Sequence, residues 1–565
     1  MQKNVLEDYL SSIKIMLRNV LEDYLSSIKD EREFDYPLGS LLQAMGFYDI
    51  HLTHGRTEFG KDFIAKKVDD GVVHQYSIQS KRGDIKQAEF RNEIMGQLME
   101  ASLLGIVHPQ FDRSLPRKVI FATTGRLRDN AGPAFQDMNL ELTTTYQKNP
   151  VTFWGYERFI ELSEEYGLSG IHPNTVKGVA SYGQFYLFYS KAMQGSLTDR
   201  EIEEYSRLWL DEGLDYKKRM LRASIEADII ARKLTEGGHF YEAITVYLSL
   251  DRLVMQVMYE TDHKDVVEIH EEIVNGKILA LCRQLFHEFK TGWEEEEKSL
   301  LRMCLRRSYM PMIHYLVWSA RVLEISALYY FLSKEESERD DVIAFLTEFL
   351  EKEEGAGHIP GDRYAISIVS GALAFIHAGR NDKARVLVQR AVVWLCDRVE
   401  KGFGIARYDA DEKEETYTLL GYAFDFIKVD KNRSSFLATI VSDLAAFLGD
   451  KDFYADVVND LAACEIVYSY WQFPDTKAIL TIDTEECRTY ANIPHQFSLT
   501  EFEEFSYAEH IKDEPSSFQI TQRGGLNSLI LLSVLLKDRY FPKMWREMVE
   551  STSSTEPDKS LATTK

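Results

Sequence analysis

The stretch Gly55-Arg-Thr-Glu-Phe-Gly-Lys-Asp62, followed later by Gln79-Ser-Lys81, decides the fold of the N-terminal part of the chain. Between them, two β-rich runs flank Asp69-Asp70-Gly71, and an Asp-Gly step in that position predicts a β-hairpin. Because side chains alternate between the two faces of a strand, the glutamine and lysine of the second stretch share a face, and the serine between them points away. If Asp62 lies opposite Gln79 and Lys81 across the hairpin, a carboxylate, an amide oxygen and an ammonium group meet.

This triplet has the chemistry needed to hydrolyse a phosphodiester bond. Mg²⁺ prefers oxygen ligands and keeps several of its waters, so the oxygens of Asp62 and Gln79 would suffice to hold it. Lys81 would orient the attacking water or stabilise the negative charge that develops on the phosphate. The pattern is short, and an ordinary amphipathic hairpin with a polar outer face is the alternative interpretation.

The segments around the triplet resemble those of one nuclease superfamily. They are Phe34-Asp35 with Leu41-Leu42-Gln-Ala-Met-Gly46-Phe47, then Gly60-Lys-Asp62-Phe-Ile-Ala65, and finally Lys118-Val-Ile-Phe-Ala-Thr-Thr124-Gly125. In this order they look like an opening helix that ends at a glycine, a strand with a metal-binding aspartate, and a later core strand with its turn. The set spans roughly residues 30–166 and resembles the PD-(D/E)xK superfamily, within it the Mrr-like restriction endonucleases.

The resemblance implies an α/β restriction-endonuclease-like domain with Asp62, Gln79 and Lys81 as catalytic residues. It also implies that Asp62, Gln79 and Asp35 bind Mg²⁺, for which Mn²⁺ can substitute. The chain departs from the family in two ways. Gln79 stands where most members carry Glu or Asp, which removes a negative charge and weakens the expected metal affinity. Asp35 stands where a helix glutamate is usual.

Two further polar residues are candidates to support this centre through hydrogen bonds. Glu58 lies within the first quoted stretch, and Gln97 lies on the helix expected after the hairpin. For Gln97, a solvated position on the helix surface is the alternative.

The charge distribution indicates where a polyanion could bind. The whole chain carries a net charge of −24, yet residues 51–130 contain 13 Lys and Arg against 10 Asp and Glu, a net of +3, so the remainder carries −27. A basic segment in an acidic protein is where a DNA backbone would be tolerated. The candidates for DNA contact are Arg56, Lys61, Arg82, Lys86, Arg126 and Arg128. Each of them is also compatible with an ordinary solvated surface charge.

With 565 residues, the chain is too long for a single core, and its pattern predicts several parts. Residues 4–14 recur unchanged at 19–29, an offset close to four helical turns, which predicts a duplicated helical arm over 1–29. The nuclease-like domain over 30–166 continues with a helix (84–107), a strand (117–124), a helix (130–140), a short strand (151–154) and a helix (156–166). A linker over 167–177 follows, then an all-α region over 178–550 and a disordered polar tail over 551–565.

The region over 178–550 is interpreted as an irregular helical repeat or a helical bundle. Gly237-Gly-His-Phe-Tyr-Glu-Ala243 and Ala378-Gly-Arg-Asn-Asp-Lys-Ala384 each place a glycine turn before an alanine inside an apolar helix. A small residue there permits close helix approach, as in tetratricopeptide-type packing. The 34-residue period of that family is not kept regularly. The sequence therefore predicts a multidomain protein in which an α/β domain precedes a large all-α region.

Several sequence features bear on location and partners. No apolar run approaches the ~18–20 residues that span a bilayer, and the N-terminus lacks the apolar core of a signal peptide. The five cysteines are far apart and form no Cys-x-x-Cys pair, which indicates reduced thiols in a cytosol. We therefore expect a cytoplasmic protein without a membrane partner.

Together, the residue pattern and the resemblance predict a Mg²⁺-dependent endonuclease that hydrolyses phosphodiester bonds, and the resemblance alone implies DNA as the substrate. The family resemblance implies a prokaryotic restriction or antiphage role, in which the helical region senses a protein trigger or forms a homo-oligomer. A DNA repair nuclease is one alternative. The other is a scaffold whose α/β domain grips nucleic acid without cutting it.

Overall fold

In the computed structural model, a few segments of the chain fall outside what can be described. The described residues are 18–53, 62–106, 108, 111–112, 114–166, 176–210, 215–260, 264–308, 310–408, 410, 412–420, 433–469, 480, 530–531, 533–537 and 545. Residues 54–61, which include Arg56, Glu58 and Lys61, are outside this set, as are the first copy of the N-terminal repeat and the residues after 550.

A five-stranded mixed sheet forms the centre of the N-terminal part. Its strands are β1 (Tyr48–Leu52), β2 (Phe63–Asp69), β3 (Val72–Lys81), β4 (Arg117–Thr123) and β5 (Thr152–Trp154), and they lie in that order. The first three are antiparallel to their neighbours, whereas β3, β4 and β5 run parallel. Because β3 and β4 run parallel, their carboxyl ends lie side by side. The candidate residues Gln79 and Lys81 are at this end of β3.

The predicted hairpin is confirmed. β2 and β3 pair in register from Phe63 opposite Ile78 to the pair that closes the turn. In the turn, Asp70 has φ 51° and Gly71 has φ 77°. Positive φ at both central residues defines the type I′ turn, whose twist matches that of the flanking strands. The turn fixes the register, and the register fixes which residues of β3 lie opposite Asp62.

Helix α1 (Glu31–Ala44) contacts both β1 and β3. It begins after Asp30, whose side chain caps it by accepting the backbone N–H of Arg32. It ends at Gly46, which has φ 87°, and the N–H of Phe47 closes the turn by donating to the carbonyl of Leu42. The prediction that the opening helix ends at this glycine is confirmed.

Three further helices cover the sheet, in the predicted order. The first, α2, is continuous and consists of Gln87–Glu89, a π-helical turn over Phe90–Ile94, and Met95–Leu103; α3 is Ala131–Thr144 and α4 is Tyr156–Tyr166. Helices α2 and α3 enclose, with β4, an apolar core that includes Phe90, Ile94, Leu98, Phe121 and Phe135. The observed helices and strands confirm the alternation predicted for the α/β part.

Strand β1 was not predicted. It is five residues long, and its pairing with β2 shifts register between Tyr48 and His51. Asp49, between them, has φ 48°. This irregularity interrupts the alternation of apolar and polar side chains by which a strand is recognised in a sequence.

Beyond the sheet, the chain is mostly helical. The remaining helices are α5 (Val176–Met193), α6 (Asp199–Ser206), α7 (Tyr216–Glu236), α8 (Phe240–Glu260), α9 (Lys264–Glu295), α10 (Leu300–Arg307), α11 (Pro311–Leu332), α12 (Glu336–Lys352), α13 (Ala365–His377), α14 (Asn381–Glu400), α15 (Glu412–Leu420), α16 (Phe436–Phe447) and α17 (Lys451–Ala463). None of the helices described combines the length and the apolar character that crossing a bilayer requires.

Both predicted helix-turn-helix units are present. Gly238, with φ 78°, lies in the turn between α7 and α8, and Gly379, with φ 71°, lies between α13 and α14. The alanines that follow, Ala243 and Ala384, are fully buried, as close helix approach requires.

The chain divides into two compact units, residues 1–274 and 275–565. Most of the predicted linker over 167–177 lies outside the described residues, so that prediction stays a prediction. Helices α5 to α8 belong to the same unit as the sheet. Helix α1 has a second packed side, which contacts α7. Residues 18–27, within the second copy of the repeat, are helical, and there the Tyr24 hydroxyl donates to Asp228 of α7 at 2.9 Å. Leu21 and Leu25 are buried beside it.

Candidate active site

Asp62 occupies the position just before β2, at the carboxyl end of β3. Its backbone N–H donates to the carbonyl of Ile78, and its own carbonyl accepts from the N–H of Thr53. Its carboxylate oxygen Oδ2 accepts hydrogen bonds from Gln79 Nε2 at 2.6 Å and from the backbone N–H of Ser80 at 2.6 Å, and it lies 3.3 Å from Ser80 Oγ. The predicted neighbours Asp62 and Gln79 are thus in direct contact.

Ser80 corrects one expectation, because its side chain does not point away from this group. Its Oγ lies 3.3 Å from Asp62 Oδ2 and 3.2 Å from Asp35 Oδ1, so it lies between two carboxylates. The reason is that α1 packs on the side of β3 toward which Ser80 faces, and it brings Asp35 there. A serine hydroxyl has a single proton, so it can donate to only one of these carboxylates at a time.

Lys81 reaches the same group from the end of β3. Its Nζ lies 3.0 Å from Oε2 of Glu31, the first residue of α1. Glu31 was not among the predicted site residues. The signal in the sequence is the spacing of Glu31 and Asp35, because residues four apart lie on the same side of a helix. The Lys81 charge lowers the pKa of Asp62, whereas the charge of Glu31 raises it.

Burial disfavours the ionised forms of both aspartates. Burial, followed by the charge of Asp62, raises the pKa of Asp35 to about 7, although the hydrogen bond from Ser80 lowers it. Burial also raises the pKa of Asp62 above its ordinary value, against the opposing effects of the Ser80 N–H and the Lys81 charge. Two carboxylates that are costly to ionise together are stabilised by a positive charge placed near both.

The donor set fits a hard divalent cation. The Gln79 side chain is 3% exposed, and within the described residues its Oε1 atom has no hydrogen-bond partner, although its Nε2 donates to Asp62. With the amide turned over, a carbonyl oxygen and a carboxylate oxygen would face each other, an arrangement that a cation between them would stabilise. Mg²⁺ suits carboxylate and carbonyl oxygens. In the described parts of the chain, no group of three or more His, Cys, Asp or Glu side chains is placed to hold a metal ion.

Such a site therefore depends on Gln79 as well as on carboxylates, and this leads to a test. Gln79→Glu places a second carboxylate against Asp62, so in EDTA we expect the melting temperature to fall. Adding Mg²⁺ should restore it, and cleavage should reach half its maximum at a lower Mg²⁺ concentration than in the wild type. A Mg²⁺ titration followed by both melting temperature and cleavage rate measures this. If the variant needs more Mg²⁺, Gln79 donates its amide N–H₂ to the substrate instead.

The raised pKa of Asp35 predicts an unusual pH dependence of stability. In the unfolded chain the Asp35 carboxyl ionises near its ordinary pKa of 3.8, whereas in the folded protein it keeps its proton to about pH 7. The first unit should thus lose stability as the pH rises from about 4 to 7, by an amount on the order of 4 kcal/mol. Asp35→Asn keeps an acceptor for Ser80 Oγ and removes the ionisation, so it should unfold at higher denaturant concentration at pH 8.

Urea unfolding at pH 5 and pH 8, in EDTA, measures this difference. At pH 5 the wild type should be less stable than Asp35→Asn by only about 1–2 kcal/mol, whereas at pH 8 the difference should approach about 4 kcal/mol. A difference between the two proteins that is the same at both pH values would contradict the assignment of a raised pKa to Asp35.

Three other predicted residues, Gln97, Arg126 and Arg128, make no hydrogen bond to Asp62, Gln79 or Lys81 within the described structure. Gln97 Oε1 is buried and has no hydrogen-bond partner among the described residues. Arg126 donates to Glu157 at 2.6 Å, and Arg128 donates to Asp84 at 2.7 Å. Both ion pairs are about half exposed and therefore weak, so the predicted DNA contacts of these arginines stay predictions.

Arg82 directly follows Lys81, and Lys86 lies five residues after it; both side chains are exposed. They remain candidates for DNA contact. Arg56, Glu58 and Lys61 lie outside the described residues, so their predicted roles stay predictions.

Comparison with protein-family models, with curated proteins and with solved structures found no match for this chain.

Proposed function

We propose that this chain is a metal-dependent nuclease that hydrolyses phosphodiester bonds in DNA. The observation that carries the proposal is the convergence at the end of β3: the carboxylates of buried Asp35 and half-buried Asp62 share Ser80, and the Gln79 carbonyl oxygen has no partner among the described residues. Lys81 lies beside them as the nearby cation. This arrangement combines hard oxygen ligands with a single ammonium group.

Each residue has a separate role in the proposed reaction. Asp62 and Gln79, with Asp35, would hold Mg²⁺, which when bound neutralises the charge of the phosphate and lowers the pKa of a bound water. The Lys81 ammonium group orients the attacking water, or stabilises the negative charge that develops on the phosphate oxygens. Glu31, which accepts from Lys81 at 3.0 Å, holds that ammonium group in place.

Substrate contact would begin next to this group. Arg82 and Lys86 lie on the exposed chain that leaves β3, where they can reach phosphates on either side of the bond to be cut. Binding through such contacts releases counterions, so DNA affinity should fall steeply with salt concentration. The chain as a whole is acidic, at −24, which makes a local basic segment the favoured place for a polyanion.

The decisive experiment is incubation of the full-length protein with circular DNA, linear DNA and RNA. Each is tested with Mg²⁺, with Mn²⁺ and with EDTA. We expect cleavage of both DNA forms with either metal and none in EDTA. Cleavage of RNA alone would support metal-dependent phosphodiester hydrolysis but would contradict DNA as the substrate.

The main competing function is a scaffold that grips nucleic acid without cutting it. The ion pairs of Arg126 and Arg128 with acidic side chains bear on neither alternative, because they lie outside the group around Asp62. Salt-dependent DNA binding without cleavage in any metal would support the scaffold. The antiphage role is proposed by analogy with the resembling family, and infection of cells that carry wild type or Asp62→Ala would test it.

A further inference from the structure

Arg232, an arginine of the helical region, contacts the first turn of α1 on the side away from the candidate active site. Arg232, on α7, donates from Nη2 to Glu33 Oε2 at 2.6 Å and from Nη1 to the backbone oxygen of Ser27 at 2.8 Å. Glu33 Oε2 also accepts the backbone N–H of Lys29 at 3.0 Å. The guanidinium group thereby fixes the chain on both sides of Glu31.

The opposite side of the same turn carries the contacts of the candidate active site. Glu31 meets Lys81 at 3.0 Å, and Asp35, one turn later, meets Ser80 Oγ at 3.2 Å. Because a helix is stiff over one turn, a shift of its backbone at Glu33 moves both of these side chains.

We propose that Arg232 is a positioning residue for the active site: it holds the first turn of α1 so that Glu31 meets Lys81 and Asp35 meets Ser80. This inference rests on the proposed nuclease function. The Arg232 side chain is only 18% exposed, and a charge-assisted pair in such a setting is stronger than one on an open surface. The planar fork serves two acceptors at once, which a lysine cannot do in the same way.

Removal of Arg232 should loosen this turn without releasing the helix. At the other end of α1, a ring nitrogen of His270 lies 2.6 Å from Gln43 Oε1, and the His270 ring packs edge-on against Tyr36. In the preceding arm, Tyr24 donates to Asp228. These contacts keep α1 docked when the arginine is replaced.

The test uses the full-length protein with Arg232→Met. We expect a rise of about 10–100-fold in the Mg²⁺ concentration needed for half-maximal cleavage, or a matching loss of kcat, with little change in the KM for DNA. Arg232→Lys should recover part of the loss. The matched control is Lys233→Met, which removes an ion pair with Glu236 on the same helix and should behave as wild type.

Combination with Glu31→Gln separates positioning from general destabilisation. Because Glu31→Gln already removes one of the two contacts that Arg232 positions, Arg232→Met should cost less in the Glu31→Gln background than in the wild type. Fully additive losses, or a wild-type Mg²⁺ requirement in Arg232→Met, would overturn the inference.

The rise in melting temperature with added Mn²⁺ reports on the site without any cleavage. A wild type that is stabilised by Mn²⁺ but cuts no nucleic acid would refute the nuclease proposal alone. If wild type and Arg232→Met respond to the same Mn²⁺ concentrations, the positioning role is refuted, whether or not the protein cleaves. We expect Arg232→Met to need at least several-fold more Mn²⁺ for the same rise.

Discussion

Asp62→Asn is expected to lower the rate of metal-dependent DNA cleavage by about 10²–10³-fold, because a charged group that serves the transition state is typically worth that much. Asparagine keeps the size of the side chain and an oxygen that accepts from Ser80. It removes the negative charge that a divalent cation requires. Lys81→Ala is expected to have an effect of similar size, because it removes the ammonium group that is proposed to serve the attacking water. Single-turnover cleavage of a labelled duplex at saturating Mg²⁺ measures both.

The control for this prediction lies at the far end of the same strand. Asp69 ends β2 next to the hairpin turn and pairs with Lys118 at 2.8 Å, away from Asp62. Asp69→Asn removes an equal charge and is expected to retain the wild-type cleavage rate. If Asp69→Asn and Asp62→Asn lose activity equally, the loss results from a disturbance of the sheet and not from a catalytic role of Asp62.

Gly125→Ala is expected to destabilise the first unit by about 3 kcal/mol or more, because the added Cβ would meet backbone that cannot move aside. That Cβ would lie 2.2 Å from both the carbonyl carbon and the carbonyl oxygen of Gly83. The two loops are tied together on either side of this contact. The Thr123 hydroxyl donates to Gly83 O at 2.7 Å, and the N–H of Ile85 donates to the carbonyl of Arg126 at 2.8 Å.

Thermal unfolding of the full-length protein measures this effect. A loss of that size lowers the melting temperature of a unit this large by roughly 6–12 °C. Gly96→Ala is the matched control, since Gly96 lies in α2 with nothing within 4 Å of its added Cβ. It should leave the melting temperature unchanged or raise it slightly, because alanine favours a helix by about 1 kcal/mol over glycine. Equal losses in both variants would contradict the close contact.

The local part of the fold could be predicted because short-range rules determine it. The Asp70-Gly71 step requires positive φ, which sets the turn type, the register of β2 and β3, and so the meeting of Asp62 with Gln79. Gly46 could be recognised as the end of α1 for the same reason. The glycine turns at Gly238 and Gly379 followed from the same conformational preference of glycine.

The remainder depends on contacts between residues distant in sequence. The place of Ser80 between two carboxylates requires α1 to bring Asp35 against β3, and nothing local to Ser80 predicts it. Glu31 could have been found from its spacing to Asp35, but only if the approach of Lys81 to the first turn of α1 were known. The first unit extends to residue 274 because helices after the sheet pack back on α1 through contacts such as that of Arg232 with Glu33. These two residues are 199 positions apart, so no local pattern predicts the contact.

The most direct test of the central claim is a time course of nicking of supercoiled circular DNA by the purified full-length protein. Wild type and Asp62→Asn are prepared in parallel and assayed with Mg²⁺ and with EDTA. A nuclease centre at Asp62 predicts that wild type converts the supercoiled form with Mg²⁺ only, and that the variant leaves it intact over the same period. Equal nicking by the two proteins, or nicking in EDTA, would contradict it.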